Sequence, residues 1–474
     1  MNFLKKYRWI LAYAAVFAAL AIYVFWGTWS LDVAPVMPDA QTVYPSDYLS
    51  RFLNKWTATG KFIPSDIIVF IGSPYFWQEL KFVIPLFLSG LALALFLRSR
   101  GLSELASFSG AILLAFCGYW STLFSAGHLG WFQWMSYGVF AFYLIEKALE
   151  TKKLKFYLFL GALVAWGCFY QPDLWLLFTV FTAIYFLYRS IQTRVFELRG
   201  VLLALVAFLL IALPAIRSAL FTDLAGRDAQ IENGETLTSG VSESEKRWVF
   251  VTNWSLPPSE TLEFLIPRVN GATSCPFALH FSRRAGHDVK PYTGALGRPY
   301  LAERGNYRQH SLYVGFVTIL FAILGLVFSW RKCLFFACAA LVVYLFSLGR
   351  YCEVVYRLVY ALPFGDYLRA PVKWHHLTEF CLVILAAYGI DWALSFKAKL
   401  KALPVIVGLI VLIGAVDLAR VDKLYCAPMK NIEARRIGFY RPEEYSKSDT
   451  LSIVLGSISI LASLTVVGAL KYEK

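Results

Sequence analysis

The chain has 474 residues, of which 58% are hydrophobic, 17% aromatic and only 16% charged, whereas soluble domains carry about one quarter charged residues. That balance speaks against a soluble fold. The formal charge of +14 sits mostly on Lys and Arg that flank apolar stretches, and no basic run with interleaved aromatics marks a nucleic-acid surface.

In chain order, the pattern predicts an all-α polytopic membrane protein with about twelve spans: 9–29, 82–97, 104–124, 131–146, 156–171, 174–188, 200–220, 312–330, 333–348, 376–395, 402–417 and 451–470. Several are short for a bilayer core of about 30 Å, which needs about 20 helical residues. Tilted, broken or partly interfacial helices are therefore expected.

One set of span ends carries Lys5, Lys6 and Arg8; Arg98 and Arg100; Lys147, Lys152, Lys153 and Lys155; Arg189, Arg194 and Arg199; Arg331 and Lys332; Lys397, Lys399 and Lys401; and Lys471 and Lys474. The positive-inside rule makes these ends cytoplasmic, with both termini inside. Residues 418–450, predicted outside, also carry Arg420, Lys423, Arg435 and Arg436, which strains the orientation of the last two spans. The first span follows a basic start without a small-residue cleavage site and reads as a retained helix.

The chain divides into 1–222, with an external loop at 30–81; a large external loop at 223–311, acidic first and basic later; and 312–474, with external segments 348–374 and 418–450. Cys275, Cys352 and Cys426 lie outside the spans, where a disulfide is chemically allowed.

The first external loop contains Asp39, Tyr44-Pro45, Gly60 and Pro64, then Gly72-Ser73-Pro74-Tyr75. Further on come Gly127-His128, Ser255-Leu256-Pro257-Pro258, Leu265-Ile266-Pro267-Arg268, Leu312-Tyr313-Val314-Gly315-Phe316, Leu362-Pro363-Phe364 and Leu368-Arg369-Ala370-Pro371-Val372-Lys373-Trp374. Ala386-Ala387-Tyr388-Gly389-Ile390-Asp391 ends the series. In this order the motifs resemble the bacterial YfhO-like membrane proteins of the GT-C superfamily of lipid-linked-sugar glycosyltransferases.

The resemblance implies a GT-C-like helical arrangement, with external loops forming short interfacial helices. It also implies transfer of a sugar from a polyprenyl phosphate to an envelope glycan or glycolipid on the outer face of the cytoplasmic membrane. Asp39 would then be the general base, with Tyr44 beside it contacting substrate. A polyprenyl phosphate departs as a stable anion, so this chemistry needs a proton acceptor for the incoming hydroxyl and cations for the phosphate. Capping a turn is the structural alternative for Asp39.

Asp173, at the external start of the sixth span, is a candidate second acid, or a helix-start residue. Arg369 and Lys373 are candidate phosphate ligands, with interfacial snorkelling as the alternative; the family commonly has arginine at both, and lysine loses the bidentate fork. His375 and Glu379, four apart on one helix face, and His128 are candidate substrate contacts; a satisfied interhelical pair is the alternative for the first two. Asp391 and Asp417 read as structural.

No Asp-x-Asp pair occurs in the first loop, so no obligatory metal is expected, and nucleotide and dinucleotide fingerprints are absent. No cofactor is expected beyond the lipid-linked sugar donor. A lipid-linked sugar transporter and a non-catalytic envelope scaffold are the competing function classes.

Overall fold

The computed structural model describes residues 2–25, 74–126, 128–218, 242–267, 269, 311–395, 402–425 and 454. Within them the fold is helical: α1 (Asn2–Val24), α2 (Pro74–Ser99), α3 (Glu104–Ala115), α4 (Tyr119–Ala126), α5 (Leu129–Tyr137), α6 (Phe140–Thr151), α7 (Leu154–Gly167), α8 (Pro172–Thr193), α9 (Leu198–Ser218), α10 (Glu243–Val251), α11 (Phe316–Phe328), α12 (Trp330–Ser347), α13 (Glu353–Tyr360), α14 (His375–Ser395) and α15 (Leu403–Tyr425). Short 3-10 turns lie at Pro258–Phe264, Gly349–Cys352, Gly365–Tyr367 and Pro371–Trp374.

Seven helical segments among the described residues are long and apolar enough to cross a membrane, and three shorter apolar helices accompany them at Arg8–Val24, Leu154–Gly167 and Phe316–Phe328. The stretch expected as one span at 131–146 is instead divided at Gly138 and Val139 between α5 and α6. The stretch at 402–417 is longer than expected: α15 runs on to Tyr425. Leu418, Ala419 and Val421 are buried there, and Asp417 pairs with Arg420 at 2.7 Å, so apolar packing continues the helix past its acidic and basic residues. Residues 418–425 thus belong to a helix rather than an external loop. The stretch at 451–470 and most of the first external loop lie outside the described residues.

Helix α14 is the axis of the bundle. It is buried nearly all round and packs against α3, α11 and α12, as a helix without a polar face must. Its crossing with α11 is set by two glycines: a methyl group on Gly389 would strike the Phe321 carbonyl, and one on Gly325 would strike that of Leu385. Small residues let the two backbones meet where hydrocarbon surroundings provide no hydrophobic drive for association. At the rim, α9 leaves Leu202, Leu205, Leu209, Leu210 and Leu213 exposed, an apolar surface suited to lipid.

One end of the bundle gathers basic residues. There Glu146 of α6 accepts two bonds from Arg189 of α8, at 2.7 and 2.8 Å, and one from the Tyr185 hydroxyl, with Arg100 at 3.6 Å. Arg8 meets Glu104 at 3.1 Å, and Asp391 caps α3 through the Ser103 N–H at 2.8 Å. The opposite end holds the candidate site.

Candidate functional site

The site begins where a helix stops. α3 ends at Ala115 and α4 starts at Tyr119, leaving unpaired helix ends inside the bundle, which is tolerated only where protein supplies partners. The Gly118 N–H donates to the Tyr313 carbonyl at 2.9 Å, and a Cβ on Gly118 would lie 2.7 Å from that oxygen. On the α4 side, the Glu379 carboxylate accepts the Tyr119 N–H at 3.1 Å. A carboxylate at a helix N-terminus also meets the positive end of the helix dipole. Glu379 on α14 therefore holds the break in α3–α4.

The Leu312–Phe316 motif threads through the core beside this break. Leu312, Tyr313 and Val314 are fully buried, Val314 N–H donates to Phe264 at 3.1 Å, and Thr122 bonds the Ser311 backbone in both directions, at 2.9 and 2.7 Å. Gly315 opens α11 at φ +94°, a conformation that requires glycine. The Tyr313 hydroxyl donates to Asp417 at 2.5 Å, which accounts for the buried aspartate structurally.

Above the break, Trp131 forms a platform. Lys373 lies over its ring at 5.1 Å, His128 stacks on it at 5.6 Å, and Tyr119 meets it edge-on at 5.9 Å. Lys373 is ion-paired with Asp173, both side chains nearly fully buried. Tyr119 continues to His375 at 5.4 Å, which packs on Phe264 at 4.5 Å. His375 Nε2 lies 3.3 Å from Glu379, without the alignment of a hydrogen bond.

Asp173, Lys373, His128, His375 and Glu379 therefore come together around Trp131 and Tyr119. Asp173 sits in the first turn of α8, with Gln171 at the N-cap, so its charge faces the helix start while its carboxylate serves Lys373. Asp39 and Tyr44 lie outside the described residues.

Arg369 occupies a separate position in the overlying layer. Its guanidinium lies over the rings of Phe250 at 4.7 Å and Trp254 at 4.6 Å. The layer is stitched by Ala370 N–H to Val251 at 3.2 Å, Val372 N–H to Trp254 at 3.1 Å and Leu256 N–H to Ser347 at 2.9 Å. Trp254, Phe364 and Ala370 all have φ near +60°, a strained state for residues with a Cβ that tends to persist at functional sites. The Tyr356 hydroxyl bonds the Leu368 carbonyl at 3.1 Å, and burial pushes that phenol above its ordinary range.

Beside Glu379 lies a cavity of about 30 Å³ whose wall is mostly apolar, from Leu86, Leu114, Phe132 and Phe380, with Ser136 and His376 as polar members. His376 Nδ1 faces the Lys373 carbonyl, which can only accept, so the neutral ring carries its proton there and keeps Nε2 as an acceptor. Cys117 lies beside Glu379, and Asp422, fully buried on α15, lies near Ser121 and Trp120.

The sequence gives no sign of Tyr119, Cys117 or Asp422, since nothing local marks the α3–α4 break or the extra turns of α15. Trp131 reads in the sequence as a belt residue or a stacking surface near the cleft, and the structure makes it the ring on which Lys373 and His128 lie. Among the described residues, no cluster of three or more His, Cys, Asp or Glu is placed to hold a metal ion, and Cys352 carries no disulfide; Cys275 and Cys426 lie outside them. No family model, curated protein or solved structure matches the chain.

Proposed function

We propose that this chain is a glycosyltransferase of the cytoplasmic membrane, with about twelve spans and both termini inside, that moves a sugar from a polyprenyl phosphate to an envelope acceptor outside. The observation carrying this reading is the position of Arg369. Two aromatic rings lie against its guanidinium, and a guanidinium stacked in this way can still turn its edge N–H donors to phosphate oxygens. It lies in the layer over the Lys373–Asp173 pair and the aromatic platform, at the end of the bundle opposite the basic cluster.

In this mechanism the acceptor hydroxyl attacks the anomeric carbon and Asp39 takes its proton. The bond from that carbon to the phosphate oxygen breaks, and the departing anion is held by Arg369. Lys373, already neutralised by Asp173, sets the local charge and orients the platform rather than contributing a second net cation. Asp173 is held to that pair, and the base of this reading is Asp39. Tyr44, His128 and His375 are the groups assigned to sugar or acceptor hydroxyls, and Glu379 supports them through Tyr119.

A transporter of lipid-linked sugars is the second reading, favoured by the interrupted α3–α4 segment beside the buried Glu379, since discontinuous helices recur in transporters. Incubation of protein in nanodiscs with polyprenyl-phosphate sugars and candidate acceptors separates the two. The enzyme releases polyprenyl phosphate and forms a glycosylated product, with Arg369→Gln slower than wild type and Arg369→Lys intermediate. No product with any donor, together with donor movement across proteoliposomes, would favour transport.

A further inference from the structure

The segment between α12 and α14 holds an apolar stripe that is exposed among the described residues. In α13, Tyr356 and Val359 face the core and are buried, whereas Val354 is 84% and Leu358 67% exposed. Positions four apart share one face of a helix, and the stripe continues past the helix end through Leu362 at 57% and Phe364 at 51%. Phe364 is held at φ +64°, so a left-handed aromatic is kept outward without burial to compensate.

The polar residues of α13 form a separate strip. Glu353 and Arg357 pair at 2.6 Å on its exposed flank, and Arg357 also covers Trp248 at 4.4 Å. The helix thus has a core face, an apolar exposed face and a charged edge between them, the distribution of a helix lying in a membrane boundary.

Its occupant follows from where the chain is tethered. α13 begins shortly after Ser347 ends α12, and the same segment leads through Pro371–Trp374 into α14; both flanking helices belong to candidate membrane spans. Leu341 and Val342 towards the end of α12 are themselves exposed, so the candidate span that leads into α13 also carries an apolar outer surface. The geometry points to α13 and residues 361–364 as a membrane-immersed foot, with Val354, Leu358, Leu362 and Phe364 seated among lipid chains at the site end of the bundle and Glu353 and Arg357 at headgroup level.

This foot fixes a depth. Arg369 follows Phe364 closely and is tied to it through the turn at Gly365–Tyr367, where Leu368 N–H bonds Gly365 at 3.1 Å. Seating the stripe in lipid brings the Arg369 layer to the level at which membrane lipids carry their phosphates. The inference stands independently of transfer or transport, because it concerns the leaflet and not the reaction.

The test uses the full chain in vesicles of phosphatidylethanolamine and phosphatidylglycerol. A spin label is attached through an encoded p-acetylphenylalanine at position 353, 354 or 358, which leaves all eight native cysteines in place. Collision rates with oxygen, enriched in lipid, and with a water-soluble nickel chelate are then compared. The foot predicts oxygen dominant at 354 and 358, with the order reversed at 353. Nickel dominance at all three positions would place the stripe in water, and low collision with both reagents at 354 and 358 would mean that protein covers it; either result overturns the inference. Should a label disturb folding, photocrosslinking from p-benzoylphenylalanine at 358 decides the same point: lipid adducts support the foot, and protein adducts alone refute it.

Discussion

Replacing Lys373 by methionine removes one half of a charge pair whose side chains are only 5% and 2% exposed. The Asp173 carboxylate is left in a setting that screens it poorly, and breaking a buried pair in this way costs about 3–5 kcal/mol. Loss of the cation over Trp131 at 5.1 Å adds about 0.5–2 kcal/mol. Asp173→Asn leaves the ammonium uncompensated and falls in the same range. The double variant Lys373→Met with Asp173→Asn removes both charges and loses much less than the sum, so the cycle returns a coupling of about 3 kcal/mol. Equilibrium unfolding in mixed detergent micelles measures all four proteins. If the two single losses simply add, or if Lys373→Met is as stable as wild type, the pair is not buried as described and Lys373 is available as a free cation.

Glu379→Leu leaves the Tyr119 N–H without its acceptor and costs about 1–3 kcal/mol, whereas Glu379→Gln keeps an oxygen there and loses less; the same unfolding assay ranks them. Gly389→Ala drives a methyl group against the Phe321 carbonyl and costs about 1–3 kcal/mol by overpacking, seen as earlier unfolding without a new intermediate. At the basic end, Glu146→Leu strands Arg189 and Arg100 and costs about 3–5 kcal/mol. Its effect on lipid-linked sugar turnover should be no larger than its effect on folded protein, checked by activity per unit of folded protein.

The apolar pattern of the sequence placed most helices well because span composition is a local property. Pro172 at the start of α8 and Arg98 near the end of α2 mark boundaries that any reader of the chain can find. The α3–α4 interruption was not legible: its cause is Gly118 meeting Tyr313, a contact across nearly two hundred residues. The continuation of α15 was hidden for a similar reason, since Asp417 reads as the end of its span and Asp422 as a loop residue until Tyr313, Arg420, Ser121 and Trp120 are brought beside them. In the site, the chemical types of Asp173 and Lys373 were visible but their neutralising each other was not. That pairing joins α8 to the turn before α14 and depends on packing alone.

The central claim is tested most directly by mass spectrometry of envelope glycans and polyprenyl-phosphate sugars from deletion cells complemented with wild type, Asp39→Asn or Arg369→Gln at matched membrane levels. The account predicts that both variants lose one glycan decoration and accumulate its lipid-linked donor. A deletion that alters the profile while Asp39→Asn restores it fully would contradict the assignment of Asp39 as the base and, with it, the transfer mechanism.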